Sequence, residues 1–95
     1  MVRIAVVGLG KMGVSHLSIL NAHPDVAVVA VCDPTGYILD VLKKYTGISG
    51  YTDFKKMLNA VALDAIVIAT PSRLHAPLVR EALERGLHVF CEKPF

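Results

Sequence analysis

Four short aliphatic runs, RIAVVG, VAVVAVCD, DAIVIAT and LHVFCEKPF, recur along the chain, and none alternates strictly between apolar and polar residues. A strand with one wet face alternates, whereas a strand buried on both faces does not. Burial on both faces calls for a parallel sheet with helices on either side, because parallel strands need crossover connections.

The intervening segments supply those helices. In GVSHLSIL, Gly13, Leu17 and Leu20 fall on one stripe at helical spacing. NAHPD ends that segment, since His23 precedes a proline and is biased out of the helical region. YILDVLKKY places Ile38, Val41, Leu42 and Tyr45 on one face, with Gly47 as its stop. A brief strand near Gly50 and Tyr51 leads into TDFKKML, where Thr52 or Asp53 caps and Phe54, Met57 and Leu58 point inward. LHAPLVREALERG turns Leu74, Leu78, Ala82 and Leu83 inward and ends at Gly86. Right-handed crossovers then predict an α/β, Rossmann-like doubly wound sheet of five parallel strands in the order 3-2-1-4-5, lacking a last helix and a sixth strand.

Composition narrows the classes of function. Ninety-five residues make one small domain. The aliphatic runs stay below the roughly 18 apolar residues of a membrane span. Glycines and Lys11 interrupt the opening run too early for a signal peptide, so a cytoplasmic protein with no membrane partner is expected. The net charge of +2 is scattered, and Lys43-Lys44 and Lys55-Lys56 read as solvated helix faces rather than a nucleic-acid patch. Cys32 and Cys91 give no metal spacing and suit a reducing compartment. In the expected strand order they lie roughly 14 Å apart, too far for a disulfide.

The first strand opens into VVGLGKMGVSH, a G-x-G-x-x-G run at residues 8 to 13. Such a run is a weak signal alone, but here it follows a strand and opens a helix. Gly8 permits the tight turn, Gly10 admits a pyrophosphate, and Gly13 allows close packing of helix on strand. Leu9, Lys11 and Met12 complete the loop, whose backbone N–H groups face an anion at the helix N-terminus. Asp33 comes 20 residues after Gly13, at the end of the second strand, where an acid accepts hydrogen bonds from an adenosine ribose. The competing role for Asp33 is to cap the next helix. A carboxylate there repels a 2′-phosphate, and Pro34, Thr35 and Gly36 offer no cation to hold one, so NAD is favoured over NADP.

GLGKMGVSHLSIL, VCDP and VIATPSRLHAPLVREALERGLHVFCEKPF together resemble the coenzyme domain of the Gfo/Idh/MocA family, the relatives of glucose-fructose oxidoreductase and inositol 2-dehydrogenase. The resemblance covers the whole chain, and E-K-P and T-P-x-x-x-H are its most specific parts. It implies that Thr70, Pro71 and His75 border the nicotinamide half of a coenzyme cleft. It implies also that Glu92, Lys93 and Pro94 form the floor, with Lys93 touching coenzyme and substrate and assisting proton transfer. The bond from Lys93 to Pro94 is expected to be cis in the manner of the family. Plainer roles compete: a turn for Pro71 and Ser72, a cap for His75, packing for His16 and solvation for Lys93.

Departures from the family pattern carry expectations too. Family proteins continue into a second domain bearing most of the substrate site, so the chain reads as a truncated coenzyme domain. Tyr37, Ile38 and Leu39 make the second helix unusually apolar beside a ribose site. Two readings follow: the NAD-binding part of a hydride-transferring oxidoreductase acting on an alcohol or sugar, inactive as a fragment, or a noncatalytic module. A homodimer is expected through the fifth-strand edge or an uncovered sheet face, exposing residues among Ile66, Ile68, Val89 and Cys91.

Overall fold

The computed structural model describes residues 2–8, 17, 19–20, 22–69 and 75–91, with the backbone alone for His75 and Cys91. Its strands are β1 (Val2–Val7), β2 (Val26–Cys32), β3 (Ser49–Tyr51), β4 (Ala65–Ile68) and β5 (His88–Cys91). The helices are α1 (Gly36–Thr46), α2 (Phe54–Ala60) and α3 (His75–Glu84), and Leu17, Ile19 and Leu20 are also helical. The strands form one parallel sheet in the order β3-β2-β1-β4-β5, as the aliphatic runs predict.

Alternate residues of β1 and β4 face opposite sides. Ala5, Val7, Ile66 and Ile68 join Met57 and Leu58 of α2 and Ala82 of α3 in one cluster. Val6 joins Leu17, Leu39 and Ile48 on the other side, where Ile4, Ala65 and Val67 form a smaller group with Leu20 and Val26. On β2, Val28 and Ala30 face opposite sides although two residues apart, because the register on β1 steps from Val28 to Ala30. The extra residue, Val29, absorbs the change of side, as a β-bulge does.

The helix ends follow local chemistry. Asp53 caps α2 by accepting a hydrogen bond from the Lys56 N–H at 3.0 Å. Gly47 closes α1 with a φ of 74°, donating its N–H to the Lys43 carbonyl at 2.9 Å. Gly50 keeps β3 close beneath α1, since a Cβ there would lie 2.8 Å from Leu39 Cβ. At the other end of the sheet, the Arg3 N–H donates to Asp64 Oδ2 at 2.8 Å and Arg3 Nε to the Ala62 carbonyl at 2.7 Å, seating β4 beside β1.

Three expectations are corrected. The buried face of α1 is centred on Leu39, flanked by Ile38 and Leu42, so Val41 sits at its margin and Tyr45 is exposed. In α3, Ala82 lies against the sheet, and Leu83, about 100° further round the helix, is exposed. The uncovered sheet face is also the opposite one. Ile66 and Ile68 are fully buried and Val89 is partly buried, because α3 lays Leu78 and Val79 over them while crossing from β4 to β5. The open side instead carries Phe90, Val2 and Ile19, all exposed. The Cys91 side chain, like Gly13 and Leu74, lies outside the described residues.

Candidate functional site: the carboxyl ends of the strands

After β2 the chain continues outward to β3, and then returns to the far side of β1 to form β4. The strand order therefore reverses between β1 and β4, the switch point beyond whose carboxyl ends open α/β sheets bind their ligands. Gly8 stands at that edge. Its φ of 92° belongs to the region that glycine occupies without steric cost, and its N–H donates to the Cys32 carbonyl at 2.8 Å. On the other flank the Ala69 N–H donates to the Val7 carbonyl at 2.8 Å. The ends of β1, β2 and β4 are thus level, with Gly8 between Asp33 and Ala69.

Asp33 is locked in place at the end of β2. Its N–H donates to the Tyr51 carbonyl at 3.0 Å, and its Oδ1 accepts from the Thr35 N–H at 2.8 Å. The carboxylate therefore closes a tight turn two residues long (an Asx turn) ahead of α1. Thr35, not Asp33, occupies the cap position of α1 and makes no side-chain cap bond, and the first turn of the helix carries no acid. Asp33 thus lies two residues ahead of the cap position, its carboxylate shaping the turn into α1. Sequence reasoning missed the Thr35 contact, which depends on the backbone path of residues 33 to 35. Pro34 sits within the turn, exposed.

Cys32, immediately before Asp33, is a buried free thiol. Burial first, and then the charges of Asp33 and Asp53, push its pKa up to about 11. It stays neutral at physiological pH and contributes packing rather than nucleophilicity. As a free thiol it is not bridged to Cys91.

The remaining expected site residues adjoin the described strand ends in sequence. Leu9, Gly10, Lys11, Met12 and Gly13 follow Gly8, Thr70 and Pro71 follow Ala69, and Glu92, Lys93 and Pro94 follow the end of β5. All of these, with His16, Ser72 and the bond between Lys93 and Pro94, lie outside the described residues. His75 is the first residue of α3.

One cavity among the described residues lies away from this edge. A groove of about 820 Å³ runs along the open face toward the amino ends of the strands, bordered by Val2, Ile4, Ile19, Val67, His88 and Phe90. It contains neither Gly8 nor Asp33, and its walls are mostly apolar, with His23 and His88 among them. Among the described residues no cluster of His, Cys, Asp or Glu could hold a metal ion, and no helix is long and apolar enough to cross a membrane.

A doubly wound sheet, a left-handed glycine at the end of β1 and an acid locked at the end of β2 together define a dinucleotide-binding Rossmann module. Residues 2–95 match the model of the GFO_IDH_MocA oxidoreductase family, described as an NAD-binding Rossmann fold, and the chain belongs to that family. Over 97% of its length it is 40% identical to inositol 2-dehydrogenase 4 of Saccharopolyspora erythraea, and 37% identical to D-glucoside 3-dehydrogenase of Escherichia coli. The structure of scyllo-inositol dehydrogenase from Lactobacillus casei with bound NAD(H) and scyllo-inositol superposes over 99% of the chain, with a TM-score of 0.92 and 32% identity. The chain spans 27–28% of the length of these three relatives.

Proposed function

We propose that the chain is the coenzyme-binding part of an NAD-dependent oxidoreductase that moves hydride between nicotinamide and a ring carbon of a polyol or sugar. The observation that carries this reading is Asp33, locked beside Gly8 at the edge where the strand order reverses. When bound, the nicotinamide supplies the redox chemistry, accepting or donating the hydride. The chain's own residues bind and orient. Gly8 to Gly13 admit the pyrophosphate, and Asp33 accepts hydrogen bonds from the ribose hydroxyls and repels a 2′-phosphate. Pro34 flanks the ribose, while Thr70, Pro71 and His75 border the nicotinamide end. Glu92, Lys93 and Pro94 form the floor, and Lys93 assists proton transfer when a substrate site is present. The polyol and sugar substrates in the relatives' names support the substrate class.

Replacing Asp33 with alanine tests this reading by calorimetry. Losing a hydrogen bond to a charged group costs about 1.5–3 kcal/mol, so NAD affinity is expected to fall roughly 10- to 150-fold. Discrimination against NADP should relax in the same variant. Unchanged NAD affinity would remove Asp33 from the ribose site.

A second reading, in which the 95-residue chain is a noncatalytic module that self-associates, is favoured by the apolar groove and by exposed Phe90 on the edge strand β5. Two copies would meet across the edge of β5 and the open face in a twofold arrangement. Sedimentation equilibrium at tens of micromolar protein distinguishes a dimer from a monomer.

A further inference from the structure

The apolar start of α1 is only partly explained by packing. Of Tyr37, Ile38 and Leu39, the last is buried and Ile38 is half-buried in the cluster formed with Val28, Val31 and Ile48. Tyr37 is left 77% exposed. The helix cannot roll to bury it, because Leu39 already sits so close to β3 that a Cβ on Gly50 would meet Leu39 Cβ at 2.8 Å. Rotation toward the sheet would drive Leu39 out of its contact.

The mounting of Tyr37 is equally fixed. The Thr35 N–H bonds to Asp33 Oδ1 at 2.8 Å, and the Ile38 N–H bonds to the Thr35 carbonyl at 3.2 Å. Asp33 and Tyr37 are therefore held on one short, internally bonded stretch at the coenzyme edge of the sheet. Tyr45, equally exposed two turns along, has the Lys44 ammonium 5.9 Å from its ring centre. Tyr37 has no comparable cation among the described residues.

We infer that Tyr37 is an adenine-binding residue, its ring forming the outer wall of the adenosine subsite and stacking against the base. This inference rests on the reading that a dinucleotide lies with its ribose at Asp33. Stacking suits the residue type: a flat aromatic ring loses little conformational freedom, and every purine presents a π-face to it. Tyr37 thus contributes affinity for the adenosine half, while Asp33 governs discrimination at the ribose.

Calorimetry with NAD, AMP and nicotinamide mononucleotide tests the assignment in the Tyr37→Ala and Tyr37→Phe variants. Tyr37→Ala should weaken NAD and AMP alike, roughly 5- to 150-fold on the scale of base–aromatic stacking. Nicotinamide mononucleotide should be unaffected, and Tyr37→Phe should bind as the parent does. Parental affinity for AMP in Tyr37→Ala would overturn the inference while leaving the Asp33 reading intact, provided that Asp33→Ala still weakens NAD. Weakening in both variants at residue 37 would assign the effect to the hydroxyl and overturn stacking. Absence of NAD binding in the parent chain would overturn the functional reading and this inference with it. The exposure of Tyr37 keeps the fold out of the comparison, and circular dichroism of each variant should match the parent.

Discussion

The two sides of β4 are made by adjacent residues and yet end in different surroundings. Ile66 and Ile68 lie fully buried beneath α2 and α3. Ala65 and Val67, pointing the other way, have Leu20 and Val26 as neighbours and form part of the lining of an open groove. The difference follows from the path of the chain. Every right-handed crossover made after the chain returns past β1 places its helix on one side, so α2 and α3 both cover that side. The opposite side is covered where α1 and the helical residues Leu17 and Leu20 lie, and it thins out toward β5.

The largest test of this asymmetry compares the same truncation on the two sides. Ile68→Ala removes buried methyl groups from a closed cluster and leaves a cavity, so a loss of about 4 kcal/mol is expected. Ile4→Ala removes the same atoms from the groove lining, where solvent fills the space, and only the transfer cost of about 2 kcal/mol should appear. Urea unfolding measures both. Equal losses would mean that the groove is closed in solution.

The strands were legible in the sequence because burial on both faces leaves an unbroken aliphatic run, and the order followed from handedness. The side on which the sheet is open was not. Ile66 and Val67 are equally apolar, and only the span of α3 across β4 and β5 decides which of them it covers. Within the candidate site, the positions of Gly8 and Asp33 at the ends of β1 and β2 were legible from spacing. The contact from the Thr35 N–H to Asp33 was not, since it depends on backbone direction rather than on residue type. Tyr37 was visible as an anomaly, but separating it from Leu39 required the close approach of α1 to Gly50.

A smaller effect is expected from pH on the closed side. Cys32 belongs to that cluster, and its pKa rises from an ordinary 9.0 to about 11. As pH climbs through this window the unfolded chain loses the thiol proton while the folded chain keeps it. The unfolded state then binds fewer protons, so stability falls between about pH 9 and pH 11, by roughly 2–3 kcal/mol in total. Below that window the contribution is intact. Cys32→Ala should remove this part of the alkaline slope while lowering stability at neutral pH. An unchanged slope would mean that the thiolate is accommodated in the folded protein.

The smallest change in folding stability is expected at the open side. Phe90 is 62% exposed on β5, whose only strand partner among the described residues is β4. Phe90→Ser should therefore alter the unfolding free energy of the monomer by less than about 1 kcal/mol, as surface substitutions do. Its effect on association should be larger. Burying a phenylalanine fully is worth about 1.5–3 kcal/mol, and a twofold contact would bury two such rings against the estimated 4–15 kcal/mol cost of association. Removing both rings should then shift a micromolar dimer toward the monomer by one to several orders of magnitude, roughly a factor of ten for each 1.4 kcal/mol. Sedimentation equilibrium across a concentration series reads this directly. A parent chain that remains at 10.2 kDa throughout would eliminate self-association through the open side. A Phe90→Ser monomer that loses well over 1 kcal/mol of stability would show that the ring is covered within a single copy, and the contrast between the two sides of the sheet would be weaker than its exposed surface implies.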